Sequence, residues 1–312
     1  MNRPTAAVET AAIGVVARPS RLRALVVSLR PRQWTKNGAL LVAALFSRQA
    51  RDPASLRLAL LGAVAFCLLA SAAYLGNDIA EREQDRLHPE KRARPIAAGE
   101  LPVGLAAGAA IFLALGGLTL SFALGGSFFT VAVAYLGLQV LYTVQLKNLV
   151  IVDVFAVASG FVLRVVAGAE AIAVPISNWL FLCTMLLSLF LALAKRRAEL
   201  TLLDTRAGLH RRILSEYSVP MLDQLVTVVS ACTVLAYALY TLAPETIARF
   251  GTERLKYTVP FVLFGLFRYH YLVHRQGAGG QPEQVLLSDR PTQLNLLAYL
   301  AVVVWAIYAT GV

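Results

Sequence analysis

Long apolar runs alternate with short polar segments along this chain. A helix needs about 20 mostly apolar residues to cross a bilayer. The sequence predicts nine spans, at 37–47, 57–76, 102–122, 126–145, 149–169, 178–195, 219–242, 257–272 and 292–310, the first of which is short. Because short links join many of them in pairs, we expect an all-α fold, a polytopic membrane bundle of about nine transmembrane helices.

Composition agrees with this pattern. Hydrophobic residues make up 58% of the 312 residues and charged residues only 15%, whereas soluble domains carry about 25% charged residues. The three cysteines lie inside apolar runs without CxxC spacing, which argues against a disulfide scaffold. We predict a disordered cytoplasmic tail at 1–28 and a single transmembrane catalytic domain at 29–312.

Basic residues are distributed unevenly between the two sides. With the N-terminus inside, the inner segments carry 22 of the 29 Lys and Arg residues and the outer loops carry six. Inner loops of membrane proteins are enriched in Lys and Arg. This asymmetry explains the net charge of +11 without nucleic acid, which we exclude as a partner. We expect a multi-pass protein of the cell inner (plasma) membrane whose N-terminus and active site are cytoplasmic.

The polar segment 77–95 follows the second predicted span. On a continuing helix, Asn77, Glu81 and Asp85 share one face, but Asp78 with Glu81 and Asp85 does so too, and the sequence does not choose. Clustered oxygen ligands suit Mg²⁺ that bridges to substrate phosphates. A solvated loop of alternating charge is the alternative, but the position at a membrane helix end favours a functional site.

Basic groups accompany this acidic segment. Lys91, Arg92 and Arg94 follow directly and could bind phosphate oxygens. A second basic group, at 195–199, lies at the inner end of the sixth span, where positive-inside anchoring explains its cations equally well. Its Glu199 is either a further metal ligand or a counter-ion.

One carboxylate is predicted inside a span. Asp153 lies about a turn and a half into the fifth span, where a charge is costly and indicates function. Tyr142 and Lys147 precede it in the tight link between spans. A structural ion pair is the alternative, but Arg164, 11 residues later in the same predicted span, is too distant for direct pairing within one straight helix.

The pattern N-D-x-x-[DE]-x-x-x-D, formed by residues 77–85, resembles that of the UbiA superfamily of intramembrane prenyltransferases, and the resemblance covers nearly the whole chain. Within that superfamily, the chain is similar to the decaprenyl-phosphate phosphoribosyltransferase branch. The segments that carry this likeness are 30–37, 88–99, Tyr142-x-x-x-Leu146-Lys147, 195–200 and Asp289-Arg290.

The resemblance implies a Mg²⁺-dependent reaction in which phosphoribosyl diphosphate donates its phosphoribosyl group to a polyprenyl phosphate and releases diphosphate. The implied metal ligands are Asn77, Glu81 and Asp85, although the family usually has Asp at the position of Glu81. The implied catalytic residues are Asp85, Lys147 and Tyr142. The implied substrate-binding residues are Lys36, Lys91, Arg94, Tyr142, Lys147, Asp153, Arg164, Lys195, Arg196 and Glu199. The oligomeric state stays open, a homo-oligomer included.

Two other functions compete with this one. An ordinary prenyltransferase of the superfamily would move a prenyl group to an aromatic or glycerol-phosphate acceptor, but such enzymes carry a second aspartate-rich loop where this chain is basic, at 195–199. A transporter would often show paired broken helices in two related halves, and the sequence has no such symmetry.

Overall fold

The computed structural model describes residues 20–47, 51–89, 91–203, 212–276, 285 and 288–309, and within these ranges the chain is all-helical. The α-helices are α1 (Arg21–Leu29), α2 (Leu40–Phe46), α3 (Pro53–Ala80), α4 (Arg82–Leu87), α5 (Val103–Ala123), α6 (Gly126–Val144), α7 (Val152–Ala171), α8 (Asn178–Leu203), α9 (Val219–Leu242), α10 (Pro244–Phe250), α11 (Val259–Gln276) and α12 (Arg290–Tyr308). Short 3₁₀ helices occupy Pro31–Ala39, Lys91–Ala93, Leu146–Asn148, Arg212–Glu216 and Arg254–Thr258.

Seven helices in the described part of the chain are long and apolar enough to cross a membrane: α3, α5, α6, α7, α8, α9 and α12. Their outer surfaces are apolar. On α5, for example, Phe112 is 76% exposed and Ile111 is 62% exposed. Lipid tails can cover such a surface, whereas in water it would be a large exposed apolar patch. The all-α membrane bundle is therefore confirmed, although the count of nine spans is not.

The two remaining predicted spans differ from expectation. The span predicted at 37–47 is the end of a 3₁₀ helix followed by α2, whose seven residues extend only about 10 Å. The span predicted at 257–272 corresponds to α11, which has 18 residues but ends in a polar turn that contains His274 and Arg275. Both segments contain the apolar residues that suggested a span, but neither forms a long helix that is apolar throughout.

The predicted tail at 1–28 requires a correction at its end. Residues 21–28 belong to α1, where the Ser20 side chain accepts a hydrogen bond from the Arg23 backbone N–H and caps the helix. Ala24 of this helix is buried against the bundle. Local capping and this contact order residues 21–28, which we predicted to belong to the disordered tail. Residues 1–19 lie outside the described part.

Helix packing brings the polar segments together. Asp52 caps α3 by accepting from the Ser55 backbone N–H at 2.9 Å. Gly168 lets α7 approach α2 closely, because a Cβ there would lie 2.0 Å from the Leu40 carbonyl oxygen. Side-chain contacts show that the C-terminal ends of α3, α6 and α8 meet the N-terminal end of α7 at one end of the bundle, the site end.

Candidate functional site

Three buried carboxylates converge on one guanidinium at the site end. Arg94 Nη1 donates to Asp85 Oδ2 at 2.7 Å and to Asp78 Oδ1 at 3.1 Å. The same nitrogen lies 3.8 Å from Glu81 Oε2. The three carboxylate side chains are 2–5% exposed. Asp78, Glu81 and Asp85 form the acidic cluster, which needs bound cations because buried charges are costly without partners.

Local backbone structure gathers the acidic cluster. α3 ends at Ala80, and Glu81 adopts φ −93° and ψ 4° before α4 begins. The segment 91–97, which we call the returning segment, folds back against α4, where Arg86 Nε donates to the Ala97 carbonyl oxygen at 3.1 Å. Gly99 has φ +77°, a turn conformation that other residues rarely adopt. This return places Arg94 against the acids.

The link between α6 and α7 completes the acidic cluster from the other side. Lys147 Nζ donates to Glu81 Oε1 at 2.6 Å. Asn77 Nδ2 donates to Glu81 Oε2 at 3.1 Å, and its Oδ1 accepts from Thr143 Oγ1 at 3.3 Å. Asn77 thus lies on the Lys147 side, whereas Asp78 lies on the Arg94 side. Of the two alternatives that the sequence left open, Asp78 belongs to the acidic cluster and Asn77 contacts it.

A second charged network lies beside the first. Arg196 Nε donates to Asp153 Oδ2 at 2.6 Å, Nη1 to Glu199 Oε2 at 2.5 Å and Nη2 to the Tyr142 hydroxyl at 3.0 Å. Tyr217 donates to Asp153 Oδ1 at 2.7 Å. We call these five residues the Arg196 network. Its fully buried carboxylate has a direct cationic partner on α8, a contact that the sequence did not predict.

Two consecutive residues connect the acidic cluster to the Arg196 network. Tyr142 accepts from Arg196, and Thr143 donates to Asn77. Both residues lie in the last turn of α6. The two charged groups therefore share one backbone segment, and a shift of this turn moves both. Together they form a single site in which carboxylates and cations alternate.

The oxygen-rich donor set fits a divalent cation in its chemistry. Asn77, Glu81 and Asp85, with Asp78 adjacent, offer the hard oxygens that Mg²⁺ prefers. Within the described residues, no group of three metal-ligating side chains stands ready around one point. Arg94 lies between Asp78 and Asp85, and with Arg30 and Lys147 it balances the charge of the acidic cluster. A metal ion would therefore have to replace that guanidinium contact.

Several predicted substrate-binding residues lie elsewhere or at the edge. Arg164 is buried on α7, 11 residues beyond Asp153 or about 16 Å along the helix. It donates to Asn37 Oδ1, the Tyr135 hydroxyl and the Gly160 carbonyl oxygen, each at 2.8 Å. The structure therefore does not bring Arg164 to the site.

The remaining predicted cations are partly exposed. Lys36 lies in the 3₁₀ helix Pro31–Ala39, and Lys91 lies in the returning segment. Lys195 precedes Arg196 on α8 and has no ion-pair partner among the described residues. The roles predicted for these three lysines stay predictions.

Sequence reasoning missed two residues of the site. Arg30 Nη2 donates to Asp78 Oδ1 at 2.5 Å, although Arg30 was not among the predicted site residues. Tyr217 also accepts from the Ile151 backbone N–H at 2.6 Å. Ile151 has φ +69°, which is strained for a β-branched residue. The motif around Arg30 offered a signal, whereas nothing in the sequence marked the tyrosine.

Tyr217→Phe should lower kcat about tenfold while the protein still folds, because it removes one buried hydrogen bond to a charged group. Burial raises the pKa of the Tyr217 phenol, so this hydroxyl stays protonated as a donor to Asp153. Turnover with substrates at saturation measures the effect. Tyr257→Phe, at an exposed tyrosine near α11, is the matched control. Equal kcat in both variants would show that Tyr217 only fills space.

The fold and site together define a multi-pass membrane protein with an enzyme-like charged site at one end of a helical bundle. The chain belongs to the UbiA prenyltransferase family, whose sequence profile matches residues 38–288. The protein is therefore a transferase. The resemblance found in the sequence motifs is thus confirmed at the level of the family.

Two relatives align with this chain over most of their length. The chain is similar to the decaprenyl-phosphate phosphoribosyltransferase of Mycolicibacterium smegmatis, with 35% identity over 91% of this chain and 92% of the relative. The enzyme of that name from Mycobacterium tuberculosis is 36% identical over 91% of this chain and 95% of the relative. The resemblance to this branch is confirmed.

Solved structures share the fold. A UbiA homolog from Archaeoglobus fulgidus, bound to GPP and Mg²⁺, superposes with a TM-score of 0.70 at 21% identity and covers 91% of this chain and 99% of its own. A structure of digeranylgeranylglyceryl phosphate synthase gives a TM-score of 0.64 at 18% identity, over 92% of this chain and 99% of its own. At these identities the likeness concerns the fold.

Proposed function

We propose that this protein transfers 5-phosphoribosyl from phosphoribosyl diphosphate to a polyprenyl phosphate of decaprenyl type and releases diphosphate. The observation that carries the proposal is the position of the cations Lys195 and Arg196 on α8, beside the acidic cluster. Arg196 on α8 lies beside the acidic cluster, in a region where ordinary prenyltransferases of the superfamily carry further aspartates. Two phosphorylated substrates need more cations than one prenyl diphosphate does. The two enzymes named above support the same activity.

The donor lies across the two charged groups in this proposal. Lys147 and Tyr142 bind the donor, and Lys195 and Arg196 neutralise its diphosphate. A divalent cation held by Asn77, Glu81 and Asp85 supplies further charge neutralisation for the leaving diphosphate when it is bound. Asp153 and Glu199 hold the Arg196 guanidinium in position. These side chains come from the ends of packed helices and from the short link between α6 and α7, which favours a fixed geometry.

The reaction is a substitution at C1 of the ribose. An oxygen of the lipid phosphate forms the new bond to C1, and the bond from C1 to the diphosphate oxygen breaks. The lipid phosphate is already an anion, so no strong base is required. The cations of the site stabilise the negative charge that moves onto the diphosphate.

The charge of the donor substrate implies an orientation of the protein in the membrane. Phosphoribosyl diphosphate is a soluble, highly charged molecule, and the basic residues concentrate on one side of the predicted topology. We therefore place the site end and the N-terminus at the cytoplasmic face of the plasma membrane. The described transmembrane helices act as one catalytic domain in this proposal.

Incubation of the purified protein with Mg²⁺, labelled phosphoribosyl diphosphate and decaprenyl phosphate should yield a labelled lipid. Removal of Mg²⁺ with a chelator should stop its formation, and re-addition should restore it. Thin-layer chromatography of the organic phase detects the product. A preparation that makes no labelled lipid, yet joins geranyl diphosphate to an aromatic or glycerol-phosphate acceptor, would establish the ordinary prenyltransferase function instead.

A further inference from the structure

A cavity opens on the α1 side of the acidic cluster. Its volume is about 330 Å³, more than a phosphate group alone requires. Its polar lining includes Arg30, Arg94 and Asp78, and Val27 of α1 contributes an apolar wall. Lys147 and Arg196 do not line it. The cavity is therefore a separate compartment of the site, on the opposite side of the carboxylates from the Arg196 network.

Both arginines have hydrogen-bond donors to spare. Arg30 donates from Nη2 to Asp78, and its Cζ lies 4.9 Å from the centroid of the Tyr74 ring. Arg94 makes its carboxylate contacts through Nη1. Two nitrogens of each guanidinium group have no hydrogen-bond partner among the described residues: Nε and Nη1 of Arg30, and Nε and Nη2 of Arg94. None of these four atoms is fully buried. These nitrogens are available to an anion in the cavity.

The carboxylate contacts preorganise the two guanidiniums. Asp78 Oδ1 accepts from both arginines, and its side chain is only 3% exposed. This one buried oxygen thus holds the two planar guanidinium groups beside one another. Guanidinium forks match the oxygens of a phosphate in spacing and direction. The arrangement suits a phosphate monoester.

The surroundings of the cavity are suited to a lipid. The adjoining helix α1 exposes Leu22 (72%), Val26 (46%) and Val27 (53%) and carries the exposed basic residues Arg21 and Arg23. A helix with exposed apolar and basic residues is typical of the bilayer interface. A ligand that enters along α1 would meet apolar side chains first and the two arginines at the end. A phosphate head with a hydrocarbon tail satisfies both.

We propose that Arg30 and Arg94 form the subsite for the phosphate of the acceptor lipid. This inference rests on the proposed function for the identity of that lipid. The donor then occupies the Lys147 and Arg196 side, and the carboxylates with their cations separate the two substrates. Two mutually repelling phosphorylated molecules are thereby held apart except where they react.

Binding of farnesyl phosphate to the detergent-solubilised protein, without donor or Mg²⁺, tests the subsite. Arg30→Gln should weaken this binding about tenfold to hundredfold, because it removes charge-assisted hydrogen bonds. Farnesol, which has no phosphate, should bind equally to wild type and variant. Arg32→Gln is the matched control, since it removes an exposed charge from the same segment. Equal affinity of wild type and Arg30→Gln for farnesyl phosphate would overturn the proposal.

Turnover distinguishes the acceptor from the donor. Arg30→Gln should raise the KM for polyprenyl phosphate by a similar factor and leave the KM for phosphoribosyl diphosphate unchanged. A raised donor KM with an unchanged lipid KM would assign the cavity to the donor's 5-phosphate and overturn the acceptor assignment. If the wild type transfers no phosphoribosyl group at all, the proposed function fails, while the farnesyl phosphate measurement still decides whether the subsite exists.

A milder substitution guards against misfolding. Arg30→Lys keeps the positive charge but replaces the planar fork with one ammonium group. Binding of farnesyl phosphate should be intermediate between wild type and Arg30→Gln. Wild-type affinity in Arg30→Lys, if Arg30→Gln does not fold, would show that the fork plays no part and would refute the subsite as described.

Discussion

Asp85→Asn should reduce Mg²⁺-dependent turnover about 100- to 1,000-fold, the range found when a preorganised electrostatic contact is removed from an active site. The substitution keeps the size of the side chain and removes its charge. Arg94 retains its contact with Asp78, so the returning segment stays in place. The rate of labelled lipid formation over a range of Mg²⁺ concentrations measures the loss, and higher Mg²⁺ should restore part of it.

Glu83→Gln is the matched control for Asp85→Asn. Glu83 lies on the same helix, two residues away, but its side chain is 74% exposed and pairs with Arg86. Turnover in this variant should equal that of wild type. If Asp85→Asn also retains wild-type turnover and the same Mg²⁺ dependence, Asp85 does not belong to the metal-binding set.

Asp153→Asn should destabilise the protein by about 3 kcal/mol, since removal of one partner from a buried ion pair leaves the other charge uncompensated. Asp153 is fully buried and accepts from both Arg196 and Tyr217. Glu199, whose side chain is 30% exposed, compensates only part of the remaining charge. The apparent melting temperature in detergent should fall by several degrees, and turnover should fall with it.

The neighbouring ion pair provides a comparison for Asp153→Asn. Arg197 pairs with Asp223 on α9, whose side chain is 37% exposed. Asp223→Asn should cost about 0–1 kcal/mol, as is usual for exposed pairs. A melting temperature in Asp153→Asn that matches that of Asp223→Asn would mean that the buried pair contributes nothing to the fold.

Much of the fold could be predicted because lipid imposes a simple rule. A run of about 20 apolar residues must form a helix in a bilayer, and the described part of the chain contains seven such helices. The rule fails where apolar runs are short or end in polar turns, as at α2 and α11. It also gives no information about α1, whose helix depends on a cap and on one buried contact rather than on length.

The site was less predictable, because spacing along a helix identifies faces but not partners. The acidic cluster was expected from the periodicity of its residues. Its contact with Lys147 joins residues 66 positions apart, a distance at which periodicity carries no information. Tyr217 precedes α9 without a neighbouring motif, and its role depends on the position of α7. Arg164 is a charged residue inside an apolar span, which is typical of a site residue, but its hydrogen bond to Asn37 holds it away from the site.

The separation in sequence between Glu81, Asp153 and their cationic partners has a consequence for biogenesis. Synthesis proceeds from the N-terminus, so Lys147 becomes available to Glu81 only 66 residues after that acid has been made. Asp153 enters the membrane before its partner Arg196, which follows 43 residues later, and before Tyr217, which follows 64 residues later. A ribosome-bound nascent chain that stops after α7 therefore carries Asp153 without its ion-pair partner, and we expect α7 to reach its final depth in the lipid only after α8 has been synthesised.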